Sequence, residues 1–131
     1  MLNNDTYGIY INNTQVPYVY NSTIANSVYG LYLHGANTGS ISNVSVSNST
    51  YGIYTNASTA ITYYRFNLKG NDYGIYFAGG SGSTFSSGYT ENNKRSDLYC
   101  TASTYNSTSN LFENTGCGVT DCNWGAGCTS K

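Results

Sequence analysis

The tetrapeptide Tyr-Gly-Ile/Leu-Tyr recurs at residues 7–10, 29–32, 51–54 and 73–76, each copy 22 residues after the last. A unit of 22 residues cannot close a core by itself, so a fixed period of this length implies that successive copies stack and complete one another. No window places apolar residues at i, i+3, i+4 and i+7 over three turns. Instead, β-branched and aromatic residues alternate with Ser, Thr and Asn, which is the period of strands. Asn, Ser and Thr fill 51 of the 131 positions beside a single Pro. That polarity comes without the charge density or Pro content of a disordered chain, so the chain is expected to fold.

Counting each repeat from its first Tyr as position 1 aligns the apolar residues in columns. Position 3 holds Ile9, Leu31, Ile53 and Ile75, and position 5 holds Ile11, Leu33, Thr55 and Phe77. Position 13 holds Val19, Ile41, Tyr63 and Phe85, and position 18 holds Ile24, Val46 and Leu68. These four columns are predicted to face inward. Ser-Asp-Leu-Tyr-Cys at 96–100 continues the series after one inserted residue, placing Leu98 at position 3 and Cys100 at position 5. Position 20 reads Asn26, Asn48, Gly70 and Asn92, predicted to form a hydrogen-bonded amide ladder with a rise of about 4.8 Å per rung. Counting backwards puts Leu2 at position 18 and Asn4 at position 20.

With these columns the chain resembles the right-handed parallel β-helix repeats of pectate-lyase-like proteins. It is similar in particular to the Asn- and Tyr-rich repeats of archaeal and bacterial surface proteins and of the periplasmic copper-maturation family. The resemblance spans residues 1 to about 117. It implies an all-β, right-handed parallel β-helix (a β-solenoid) of five full 22-residue coils plus a partial sixth. Residues 1–117 would form the coils and 118–131 a Cys- and Gly-rich terminal coil or cap. It implies no single function, because such repeats serve lyases, hydrolases, adhesins, viral spikes and structural proteins alike.

Five basic and six acidic residues leave a net charge of -1. No basic stripe is available to neutralise phosphates, which argues against a nucleic-acid partner. No apolar run approaches the roughly 20 residues of a membrane span. The first twenty residues lack the basic start and apolar centre of a signal peptide, so either a signal has been removed or the chain belongs to something longer.

Cys100, Cys117, Cys122 and Cys128 lack the paired C-x2-C knuckles of a zinc site, and the one histidine, His34, is remote in sequence. Disulfides are the favoured reading over a metal site. They place the protein outside the cell or on its surface. The register counts Cys122 one repeat after Cys100, which predicts a Cys100–Cys122 bridge, with Cys117–Cys128 closing a loop around Trp124. Neither a metal nor any other cofactor is expected.

The resemblance implies that a catalytic member would cluster acidic residues on adjacent coils. Asp5, Asp72, Glu91, Asp97, Glu113 and Asp121 form no such column, so no catalytic residue is assigned. Asp72, Lys94, Arg95 and Asp97 read as ion pairing at a turn, as do Lys69 and Glu91, both at position 19. His34 reads as a solvated turn residue. The glycines of 78–88 form a turn rather than a phosphate loop, since neither a Lys nor a helix follows. Position 4 carries the one column with a functional reading: Tyr10, Tyr32, Tyr54, Tyr76 and Tyr99 have the parity opposite to positions 3 and 5 and should face outward. Self-stacking that stiffens the solenoid is one use of such a stripe; sugar binding or lateral packing on another subunit is the other. Tyr7, Tyr29, Tyr51 and Tyr73 share the inward parity and are predicted at a corner of the core. Sequons at Asn4, Asn12, Asn21, Asn43, Asn48, Asn56 and Asn106 mildly exceed chance and mark candidate glycosylation sites.

These readings converge on a non-enzymatic extracellular structural or surface protein that stacks head to tail on itself as a filament subunit. The 131 residues amount to six turns within about one residue, and exposed coil edges invite such stacking. The alternative is a polysaccharide-binding or polysaccharide-cleaving module of a longer protein.

Overall fold

The computed structural model describes residues 2–3, 5–101, 111–113 and 116–117. Position-1-to-6 strands from successive repeats pair in parallel into a five-stranded sheet: Tyr7–Asn12, Tyr29–His34, Tyr51–Asn56, Tyr73–Phe77 and Ser96–Cys100. The register is one repeat per rung, so Ile9 pairs with Leu31, Leu31 with Ile53, Ile53 with Ile75 and Ile75 with Leu98. Positions 12 to 19 build a nine-stranded sheet. In the first two coils it is continuous, as Tyr18–Ala25 and Ser40–Ser47. In the next two it is split, as Thr62–Tyr64 with Asn67–Lys69 and Thr84–Ser86 with Tyr89–Glu91. A short third ladder pairs Ser58–Thr59 with Gly80–Ser81 and is extended by bridges Gln15 to Asn37 and Asn37 to Thr59.

The four inward columns are buried as predicted from the second coil on, with Ile9 and Ile11 of the first coil partly buried against the core. Leu31, Ile53, Ile75 and Leu98 have no exposed surface, and Ile24, Val46 and Leu68 line the opposite wall. Leu2 pairs with Ile24, at the position 18 that counting assigned to it. Ile61 at position 11 and Val44 and Phe66 at position 16 complete the core. The rings of Tyr63 and Phe85 stack at 4.4 Å, one rung apart. The Tyr63 hydroxyl is buried short of a hydrogen bond; burial raises its pKa well above the ordinary phenol value, with Thr55 pulling weakly the other way.

Four left-handed residues turn every coil. Positions 7, 10, 15 and 20 have positive φ in each of the four coils, from Asn13, Val16, Asn21 and Asn26 in the first to Gly79, Gly82, Ser87 and Asn92 in the fourth. This corrects the reading of position 20. Its asparagines are there because Asn tolerates the left-handed conformation, and no hydrogen bond joins the Asn26 side chain to that of Asn48 among the described residues.

The polar ladder lies one residue later. A left-handed residue turns the next N–H away from the strand pairing, and a side chain from the following coil accepts it. Ser27 N donates to Ser49 Oγ at 3.2 Å, Ser49 N to Asn71 Oδ1 at 3.0 Å, and Asn71 N to Asn93 Oδ1 at 3.0 Å. Asn93 N donates to Asp97 Oδ1 at 3.2 Å. The amide nitrogens reach back to position-18 carbonyls, Asn71 Nδ2 to Val46 O and Asn93 Nδ2 to Leu68 O, both at 3.1 Å. Buried polar groups are thereby satisfied along the axis.

Two further expectations change. The described residues close four complete coils rather than five, and the expected sixth lies outside them. In the fifth coil Phe85 pairs with Phe112 and Thr90 with Cys117, offsets of 27 rather than 23. Four more residues are therefore inserted between Cys100 and Leu111, and Cys117 takes position 18. The count that set Cys122 one repeat after Cys100 does not hold. Cys100 itself is disulfide-bonded, while the pairings Cys100–Cys122 and Cys117–Cys128, Trp124 and the 118–131 cap lie outside the described residues.

Asn71→Ala strips partners from two buried backbone groups, Ser49 N–H and Val46 C=O. It should cost about 2–4 kcal/mol, read as a lower urea midpoint at unchanged slope. Asn48→Ala, at the exposed turn residue beside it, should cost no more than about 1–2 kcal/mol.

Candidate functional site: a two-column tyrosine ladder and the groove beside it

Simple alternation within Tyr7–Asn12 and its copies fails at position 2. Gly30, Gly52 and Gly74 are buried, and the strand pairing passes from position 1 to position 3. A Cβ on Gly30 would lie against the Val46 side chain and 2.7 Å from the Gly52 carbonyl oxygen. Positions 2 and 3 therefore both turn inward, and this corrects one expectation: Tyr7, Tyr29, Tyr51 and Tyr73 at position 1 are not in a corner of the core. They stand outside, next to the position-4 column.

The result is nine connected rings. Within the position-1 column neighbours stack at 5.2, 4.9 and 5.5 Å with interplanar angles of 10–13°. Within the position-4 column Tyr10, Tyr32, Tyr54 and Tyr76 stack at 5.3, 5.0 and 4.9 Å, and Tyr99 continues at 4.6 Å, tilted by 31°. Between columns the contacts are edge-to-face, as for Tyr29 with Tyr32 at 84° and Tyr73 with Tyr76 at 90°. This herringbone joins the two favourable geometries of aromatic pairs, each adding about 0.5–1.5 kcal/mol beyond buried area. It also occupies the ring faces, so the outward surface of the ladder is made of ring edges and hydroxyls.

Packing shifts the phenols. Burial raises Tyr29 and Tyr54 above the ordinary value, and neighbouring phenols add to it. Burial raises Tyr32 against a hydrogen bond with Asn56. Burial, then Tyr99 and Tyr54, pushes Tyr76 up to about 12. Arg95 hydrogen-bonds the Tyr73 hydroxyl and lies 5.8 Å from its ring centre.

Of the four charged residues expected to pair at a turn, Asp72 and Lys94 do so, while Asp97 is drawn into the core. Lys94 Nζ lies 3.2 Å from Asp72 Oδ1 in an exposed pair. Asp97 instead occupies the position-2 slot that glycine holds in earlier coils and is buried, accepting from Asn93 Nδ2 at 2.6 Å. Lys69 and Glu91 sit one rung apart as expected. His34 is not a solvated turn residue: it ends a strand, half-buried, with Nδ1 closed off from solvent and without a hydrogen-bond partner. The segment 78–88 is not one turn: it holds the strands Gly80–Ser81 and Thr84–Ser86, with Gly79, Gly80 and Gly82 at positive φ. Asn12, Asn21, Asn43 and Asn48 are exposed and Asn56 is half-exposed, while Asn4 and Asn106 lie outside the described residues. Asn43 Nδ2 donates to Asn21 Oδ1 at 3.1 Å. Among the described residues no group of three His, Cys, Asp or Glu is placed to hold a metal, and no helix is long and apolar enough to cross a membrane.

Sequence reasoning missed an open groove of about 470 Å³ at the turn beside the position-1 tyrosines, lined by Asp5, Thr6, Asn26, Ser27, Val28, Asn48, Ser49, Thr50, Asp72 and Lys94. These are positions 20 to 22 of successive coils, so the groove runs along the axis. The signal was the recurrence of Asn, Ser and Thr in those columns.

Because the folded chain holds the protons of Tyr29, Tyr32, Tyr54 and Tyr76 above the ordinary phenol value of 10, unfolding in alkali releases them. Their contribution is complete below pH 10 and is lost as pH rises through the raised values, about 12 for Tyr76. Thermal melts followed by circular dichroism should fall steeply over that window, with phenolate absorbance rising together with unfolding. Tyr76→Phe should lessen the drop.

Comparison with family models matches residues 7–130 to the right-handed β-helix region. No curated protein and no solved structure matches the chain. With a parallel solenoid of one repeat per rung in place and nearly the whole chain matched, this protein belongs to the right-handed β-helix family.

Proposed function

We propose that the chain is a non-enzymatic structural module of an extracellular or cell-surface protein. It acts as a stiff solenoid that carries a tyrosine ladder along one face and adds coils by stacking on copies of itself. The observation that carries this reading is the herringbone of nine tyrosines. Its ring faces are spent on one another, so the ladder stiffens the axis and offers no flat face to a sugar. The disulfide at Cys100 suits an oxidising compartment. The carboxylates nearest to an acid–base pair are committed elsewhere, Asp72 to Lys94 and Asp97 to the buried Asn93 amide. Every rung presents the same strand edges at the same spacing, so coil-on-coil docking is a heterologous contact that repeats without closing.

Negative-stain microscopy across a concentration series should show straight rods whose lengths step by whole molecules. Monodisperse particles at every concentration would remove the self-assembly part. Calcium-dependent release of unsaturated sugars from pectin-like polymers, abolished by Asp97→Ala or Arg95→Ala, would overturn the non-enzymatic part.

The axial groove favours a second reading, polysaccharide binding, because its hydroxyls, amides and carboxylates repeat at one-rung intervals beside an aromatic column. Glycan retention lost on Asn48→Ala but kept on Tyr54→Ala would select it.

A further inference from the structure

We propose that the tyrosine ladder is a site of one-electron oxidation at which a haem peroxidase with hydrogen peroxide joins two copies of this chain through dityrosine. This does not depend on the structural or glycan reading above.

The argument begins with charge. Removing an electron from a phenol leaves a hole, and the ladder places that positive charge against the electron-rich face of a stacked neighbour at 4.6–5.5 Å. Unbroken contact from ring to ring lets the hole pass along the whole ladder. Three exposed tyrosines of the nine-stranded sheet, Tyr18, Tyr20 and Tyr64, have weaker support. Tyr18 and Tyr20 stack more loosely, at 6.0 Å, and Tyr64 lies under the Arg65 guanidinium at 5.1 Å, a cation that repels a hole. Arg95 does the same to Tyr73, whereas among the described residues no cation lies over Tyr32, Tyr54 or Tyr76 in the position-4 column.

Each oxidised phenol gives its proton to water and becomes a phenoxyl radical. Two radicals join through the ring carbons next to the hydroxyls, and the hydrogens on those carbons move to the oxygens as the rings regain aromaticity. The two electrons and two protons removed reduce one hydrogen peroxide to two waters. Coupling inside the ladder is disfavoured, because its rings meet face to face or edge to face while the new bond needs edge to edge. The half-exposed ring edges meet that need between chains.

Exposure alone would not choose Tyr32, Tyr54 and Tyr76, which are only half-exposed, over Tyr18, Tyr20 and Tyr89, 60, 54 and 45% exposed, or over Tyr10 of the same column, 52% exposed. The test treats the full chain with horseradish-type peroxidase and hydrogen peroxide. It reads dityrosine fluorescence and covalent dimer on reducing gels, and maps the coupled residues by mass spectrometry. Coupling should map to Tyr32, Tyr54 and Tyr76. The triple variant Tyr32→Phe/Tyr54→Phe/Tyr76→Phe, which keeps the stacked rings, should lose at least about five-fold of the product. The variant Tyr18→Phe/Tyr20→Phe/Tyr64→Phe/Tyr89→Phe should keep most of it. Mapping to any tyrosine outside the ladder, or no dityrosine at all in the unsubstituted chain, overturns the proposal, and neither result requires a variant to fold.

Discussion

One constraint organises the molecule: parallel pairing sets residue i one rung, about 4.8 Å, from residue i+22. That distance is close to the spacing at which aromatic rings stack with an offset, and it lets a side-chain amide reach the backbone of the coil below. The tyrosine ladder, the stacking of Tyr63 on Phe85 and the Ser27–Ser49–Asn71–Asn93 ladder are therefore products of a single register. A slip of one residue would exchange inward and outward columns and break all three at once.

Legibility in the sequence followed the same division. Columns occupied by apolar residues in every repeat were plain, and Leu31, Ile53, Ile75 and Leu98 are buried where counting placed them. The position-1 tyrosines were misplaced because alternation assumes regular pleating, and the close approach of Gly30 to Val46 breaks it. Turn positions were hidden for another reason: Val16, Thr38, Ala60 and Arg65 adopt the left-handed conformation without being glycine or asparagine. Stacked neighbours on either side impose that conformation, at a local cost of about 1–2 kcal/mol that composition cannot reveal. Register beyond Cys100 was lost because the Tyr-Gly-Ile-Tyr marker is absent there, leaving nothing to reveal four more inserted residues.

The candidate site was half legible for a related reason. Outward parity identified Tyr10, Tyr32, Tyr54, Tyr76 and Tyr99, but a single column is a row of exposed rings, whereas two columns in herringbone contact consume each other's faces. The second column changes the surface itself: exposed ring faces become ring edges and hydroxyls. Asp97 gives a parallel case. Its nearness in sequence to Lys94 and Arg95 suggested ion pairing at a turn, yet its place in the glycine column sends it into the core.

Every column rests on the one-repeat register, and spin labels on the polar outward face of the nine-stranded sheet test it most directly. Nitroxides at Ser42 and Tyr64, register partners on adjacent rungs, should lie about 5 Å apart at the backbone and show strong dipolar broadening. A pair at Tyr20 and Tyr64, two rungs apart, should lie at about 10 Å and broaden much less. Equal broadening for the two pairs, or none for Ser42 with Tyr64, would contradict the register and every column built on it.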